Sequence, residues 1–240
     1  MTVLAVLARA GWPSWRQAGH LAVAGIGIQA MYLGGVWVAI AHGMPASVSA
    51  LVVNLQPVLT ALVGWIAGEA MGLRRAAGLL LGFLGVTLVV ATKLTTTGIS
   101  VATVALAVGA LLGITAGTLY QKRFCPDFDL RTGQVVQFVA AIAVTLPFAA
   151  ATESFHVQWN VQVAGALAWS VLVLTGGGIS LLFLMLRRGA ASQVTTYFYL
   201  VPGITALMAF AMFGEALGPV AIAGMGLTVL GVALATRRAE

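Results

Sequence analysis

Charge is the scarcest commodity in this chain. Only 8% of its 240 residues are Asp, Glu, Lys or Arg, against 60% hydrophobic, and so little polar surface cannot coat a water-soluble globule. The formal net charge of +6 would point to nucleic acid in a soluble protein. Here the twelve Lys and Arg sit in short gaps between apolar runs, where they set orientation in a membrane and form no binding patch, so no nucleic acid is expected. Cys125 is the one cysteine and permits no internal disulfide, and three scattered histidines make no metal cluster. No cofactor and no enzymatic activity are expected, because the loops are too short and bare to gather catalytic groups. Period-two alternation is missing as well, which disfavours a β-barrel.

Long apolar runs are abundant. A helix needs about 20 residues to cross about 30 Å of hydrocarbon, and eight stretches qualify, near 19–42, 45–69, 75–92, 99–121, 131–152, 161–186, 190–214 and 218–236. The stretch at 75–92 is the shortest. If each crosses once, eleven of the twelve Lys and Arg fall on the side of the N-terminus and Lys93 stands alone on the other. That asymmetry supports the count and places both termini in the cytoplasm of a multi-pass protein of the inner cell membrane.

One element occurs twice, about 145 residues apart. The first copy runs Ala46-Ser47, Pro57, Thr60-Ala61-Leu62, Gly68-Glu69-Ala70, Gly78 and Gly85-Val86. The second runs Ala191-Ser192, Pro202, Thr205-Ala206-Leu207, Gly214-Glu215-Ala216, Gly224 and Gly231-Val232. Five predicted helices separate any helix from its counterpart, and a unit with an odd number of crossings inverts when it is duplicated. The Glu69 hairpin is therefore expected on the cytoplasmic side and the Glu215 hairpin outside. Residues 1–95 read as the last three helices of a first repeat and 96–240 as a complete second repeat of five. The expected architecture is an all-α integral membrane protein with eight transmembrane helices, an N-terminally shortened form of a ten-helix inverted-repeat transporter lacking about 50 residues.

A Pro-centred helix ending in Gly-Glu-Ala, followed by a Gly-rich helix ending in Gly-Val, resembles the repeat of EamA-type permeases in the drug/metabolite transporter superfamily. The resemblance covers essentially the whole chain. It implies two inverted five-helix units that move a small metabolite, amino acid or drug-like solute, often in exchange for protons. The absent start departs from that pattern.

Polar side chains at membrane depth usually face other helices or water. The candidates for the solute pathway are Gln29, Tyr32 and Trp37 on the first helix, Asn54 and Gln56 beside Pro57, and Thr195, Thr196, Tyr197 and Tyr199 before Pro202. Each proline removes a backbone donor and frees a carbonyl four residues earlier, at Val53 and Phe198. The competing reading is packing for the prolines and plain interhelical hydrogen bonding for the Tyr and Gln residues. As a set around two kinks they suggest a neutral, partly aromatic pocket. Glu69 and Glu215 lie at helix ends as gate candidates, with complementation of the next helix dipole as the structural alternative. His20 and His42 are also terminal and read as solvated interfacial anchors.

Gly176, Gly177 and Gly178 form a candidate flexing point, expected opposite Gly25 and Gly27. The glycine ridges Gly109, Gly113, Gly117 and Gly78, Gly82 read as helix-packing surfaces within one chain, while a homodimer contact stays open. The functional reading is a secondary transporter whose partners are a small-molecule solute and the lipid bilayer. The alternatives are a non-transporting membrane scaffold and an inactive transporter fragment.

Overall fold

A computed structural model describes residues 11–68, 72–97, 99–178, 181, 208, 211–212, 214 and 218–236, without the side chains of 75, 90, 92–97 and 235–236. Seven helices run through the described residues. They are α1 (Trp15–Ala41), α2 (Ala46–Ile66), α3 (Leu73–Thr97), α4 (Val101–Phe124), α5 (Leu130–Thr152), α6 (Val161–Gly178) and α7 (Pro219–Thr236). All but α3 and α7 are long and apolar enough to cross a membrane by length and composition, and these two carry the shorter apolar stretches Ala76–Val89 and Pro219–Leu234. No strand occurs among the described residues. The span expected at 75–92 is longer than anticipated because its helix continues past Lys93 to Thr97. Most of the stretch expected at 190–214 lies outside the described residues.

Local chemistry sets where the helices start and stop. Ser14, Ser100, Asp129 and Asn160 precede α1, α4, α5 and α6, and each side-chain oxygen accepts a backbone N–H in the first turn. The two Gly-Glu-Ala motifs begin with glycine because Gly68 and Gly214 have φ of +95° and +65°. That left-handed conformation ends a helix at low cost only without a Cβ.

Short connections make α1 to α4 run alternately up and down. α1 and α4 pack closely through glycines. A Cβ on Gly27 would lie 2.9 Å from the Gly113 carbonyl oxygen, and one on Gly117 would lie 3.1 Å from that of Ala24. Gly109 has nothing within 4 Å, so only Gly113 and Gly117 of the expected ridge serve this contact. The expected placement of Gly25 and Gly27 opposite Gly176–Gly178 is corrected by the same geometry: Gly25 packs on Gln137 of α5 and Gly27 on α4.

α3 and α7 form the tightest pair. A Cβ on Gly85 would lie 2.5 Å from the Gly224 carbonyl oxygen, and one on Gly231 would lie 2.7 Å from that of Gly78. The helices are therefore antiparallel, with their starts at opposite ends. The contact is also reciprocal, since Gly78 and Gly85 are the sequence counterparts of Gly224 and Gly231, as a two-fold relation demands.

The apolar core runs from Leu55 and Val58 at mid-depth to the end of the bundle away from Trp15. Ala39 and Met44 meet Val48 and Leu51 of α2, Val89 of α3 and Ala107 of α4 there, all buried. Ser49 lies in the same region, 0% exposed.

Candidate solute pathway

Toward the Trp15 end the helices face one another through polar side chains. Gln29 Nε2 of α1 donates to Gln134 Oε1 of α5 at 3.2 Å, and Gln137 Nε2 of α5 donates to Gln121 Oε1 of α4 at 2.6 Å. Gln56 Nε2 of α2 donates to Thr118 Oγ1 of α4 at 3.1 Å. These amides and the hydroxyl link four helices into a neutral file. Pairing is what makes them tolerable, since an unpaired carboxamide in hydrocarbon is costly while each interhelical bond contributes about 0.6–2 kcal/mol. Gln137 is 2% exposed, and the missing side chain at Gly25 is what lets it approach: a Cβ there would lie 2.5 Å from Gln137 Cα.

The placement of Gln56 follows from a break in α2. The helix is interrupted at Asn54 and Leu55 and resumes at Gln56 with Pro57 in its first turn. Pro57 has no N–H for the Val53 carbonyl, and Leu55 N reaches back only three residues, to Val52 O at 3.1 Å. Two side chains secure the broken ends: Asn54 Nδ2 donates to Ala50 O at 2.7 Å and Thr60 Oγ1 to Gln56 O at 2.8 Å.

A second unusual backbone lies beside it. Ile26–Gly34 of α1 is wound as a π-helix, as is Trp169–Gly178 of α6. A shift of 145 positions, the spacing of Ala46 and Ala191, carries the first segment onto 171–179, so the two nearly coincide in the repeat. Gln29 and Tyr32 both belong to the first. Such segments are rare and frequent at functional sites.

The mouth of the file lies at the Trp15 end. His20 is half-buried, its Nδ1 2.8 Å from the Tyr120 hydroxyl, and its ring stacks on Phe124 with centroids 5.0 Å apart. The expectation of a solvated anchor is corrected accordingly, because the partners come from α4, 100 residues away in sequence. Gln17 Nε2 donates to the Asp127 carbonyl oxygen at 2.6 Å, tying α1 to the α4–α5 loop. Cys125 is buried in that loop, and desolvation pushes its thiol pKa up.

Of the candidates named from sequence, Gln29 and Gln56 join the file. Tyr32 is half-buried, its backbone nitrogen close to Gly113, whereas Asn54 bonds within its own helix. Trp37 is 63% exposed and stands apart from the file. Gly176, Gly177 and Gly178 belong to the π segment of α6. Thr195, Thr196, Tyr197, Tyr199, Pro202, Glu69 and Glu215 lie outside the described residues. Sequence reasoning missed Thr118, Gln121, Gln134 and Gln137. The available signal was the spacing of Gln134 and Gln137, which share a helix face inside an apolar run. Among the described residues no group of three His, Cys, Asp or Glu could hold a metal ion.

The family model for the EamA-like transporter family matches residues 1–91 and 101–237. The chain is 28% identical over 207 residues to an uncharacterized transporter, YvbV, of Bacillus subtilis (strain 168), a match covering 82% of this chain and 65% of the relative. It is also 28% identical over 200 residues to an uncharacterized transporter of Archaeoglobus fulgidus, covering 80% of this chain and 68% of that protein. The chain thus spans 65% of the length of the first of these curated relatives.

Proposed function

Because this chain belongs to the EamA-like transporter family, we propose that it moves a small solute across the cell membrane by alternating access, along the file between α1, α2, α4 and α5. The carrying observation is the one-sided polarity of the bundle. Among the described residues amides occupy the Trp15 half up to about mid-depth, while the other end is packed mainly with buried aliphatic side chains, with only the small hydroxyls of Ser47, Ser49 and Thr103 among them. Such a difference between the two ends supports a carrier that opens to one side at a time. The distribution of Lys and Arg supports a cytoplasmic placement of the amide side.

The reciprocal, antiparallel contact of α3 and α7 supports two inverted units, 1–95 and 96–240, that rock against each other. The break at Asn54 and Pro57 supplies one flexing point, with Pro202 as its counterpart. Glu69 and Glu215, which follow the Pro-bearing segments in the sequence, are the proposed gates.

Counterflow of a labelled panel of small metabolites, neutral solutes and amino acids included, in proteoliposomes tests the proposal. Exchange above protein-free vesicles is expected, with reduced rate but normal insertion in the Pro57→Ala, Tyr199→Ala double variant. Wild-type rates in that variant would remove these residues from the mechanism. In a Cys125→Ser background, cysteines at Gly72 and Gly218 should label from opposite faces, and labelling from one face would end the inverted-repeat reading.

A further inference from the structure

We propose that the file selects an uncharged solute bearing an amide-type edge, with a hydrogen-bond donor and an acceptor close together in one plane, as in a carboxamide, lactam or cyclic ureide. This rests on the transport reading above and names the solute class of that same path.

Charge is the first argument. Among the described residues, the bonds Gln29–Gln134, Gln56–Thr118 and Gln137–Gln121 that join α1, α2, α4 and α5 are amide to amide or amide to hydroxyl. Among the described residues the charged side chains near it lie toward the Trp15 end, on Arg16, Lys122, Arg123, Asp127, Asp129 and Arg131, and Arg131, three residues before Gln134 on α5, is paired with Asp129 at 3.3 Å. An ion entering to mid-depth would shed water and find no counter-charge among the described residues.

The second argument is the chemistry of exchange. A carboxamide has two N–H donors and an oxygen with two lone pairs. The Gln29–Gln134 bond uses one donor of Gln29 and one lone pair of Gln134. A solute carboxamide entering between them can accept from Gln29 Nε2 and donate to Gln134 Oε1. The protein's own pair is then replaced by two bonds of the same kind, and neither glutamine is left unpaired at any stage. The empty path closes on itself and the loaded one opens without stranding a polar group. A solute with only an acceptor would leave Gln134 Oε1 without a donor.

Geometry separates the reading pair from its support. The Gln29–Gln134 bond is 3.2 Å long, toward the weak end of its class, whereas Gln137–Gln121 is 2.6 Å with Gln137 buried. The first is therefore the contact that yields to a solute, and the second holds α4 to α5 while it does.

The test is counterflow of labelled uracil, a cyclic ureide, and nicotinamide, a primary carboxamide, against tetraethylammonium and succinate. At least one amide probe should exchange, with both ions at protein-free background. Gln134→Leu should lower the amide flux about tenfold, the effect of losing one bond of roughly 1.4 kcal/mol. Gln134→Glu should lower it as well and admit tetraethylammonium, a change of selectivity that a merely structural role would not produce. If that variant fails to insert, Gln29→Glu tests the same inversion. Wild-type flux of tetraethylammonium or succinate equal to that of the amides overturns the solute class and leaves transport standing. Failure of both amide probes in the wild type also overturns it, and counterflow of the wider metabolite panel then decides the transport reading separately.

Discussion

Replacing Gly85 by alanine adds one methyl group where α3 and α7 touch. Its Cβ would lie 2.5 Å from both Gly224 O and Thr228 Oγ1 and 2.6 Å from Thr228 N. Two of these three atoms are backbone and cannot rotate away. Ordinary contact needs about 3.5 Å, so the helices must part by roughly 1 Å along their tightest stretch. Overpacking of this kind costs about 1–3 kcal/mol, partly offset by the roughly 0.5–1 kcal/mol that alanine gains over glycine within a helix. Gly226→Ala is the matched control on α7, since nothing lies within 4 Å of a Cβ there. It should stabilise by about 0.5–1 kcal/mol. Unfolding of both variants in mixed micelles should separate them by about 1–3 kcal/mol in the stated order. Gly231→Ala should behave like Gly85→Ala, because its Cβ would meet Gly82 and Gly78 in the mirrored contact. A Gly85→Ala protein as stable as Gly226→Ala would refute the close approach of these helices.

The Ser49 hydroxyl is buried without a hydrogen-bond partner among the described residues, a state that costs about 1–3 kcal/mol. Ser49→Ala should therefore raise the thermal unfolding midpoint and slow counterflow by favouring the sealed end, whereas a lower midpoint would mean that the hydroxyl is satisfied. Gln137→Leu leaves Gln121 unpaired, and a double-mutant cycle with Gln121→Leu should give a coupling of about 0.6–2 kcal/mol; additivity would deny the 2.6 Å bond its importance. Burial raises the Cys125 pKa, so less thiolate exists at any given pH than in an ordinary thiol. N-ethylmaleimide labelling of the folded protein should then climb only at higher pH than for a free thiol and accelerate on unfolding. Identical pH profiles for the folded and unfolded chains would contradict that burial.

The helices were legible because their ends are marked chemically. Apolar runs stop at Arg74, at Lys122 and Arg123, and at the capping residues Ser100, Asp129 and Asn160, so the spans α4, α5 and α7 fall within a few residues of expectation. The break before Gln56 was legible for the same kind of reason, since Pro57 cannot donate. Partners were not legible. Gln29 and Gln134 lie 105 positions apart, and hydropathy carries no information about which polar side chain meets which. Trp37 was named as a polar side chain at membrane depth, and hydropathy could not show that it would stand 63% exposed and apart from the paired glutamines. The π winding left no mark beyond the Gly176–Gly178 run, which falls inside the second such segment. Ile26–Gly34 reads as an ordinary apolar helix, and only packing against Gly113 and Gly117 distinguishes it.

The winding of that segment makes α1 a coiled spring. Bonds spanning five residues put more residues into each turn than bonds spanning four. Rewinding the nine residues Ile26–Gly34 to the narrower helix would lengthen α1 and twist Gly35–Ala41 about the axis relative to Trp15–Gly25. Such a screw motion, without any bend, would swing the far end of α1 past Leu106 and Ala110, against which Gly35 now rests.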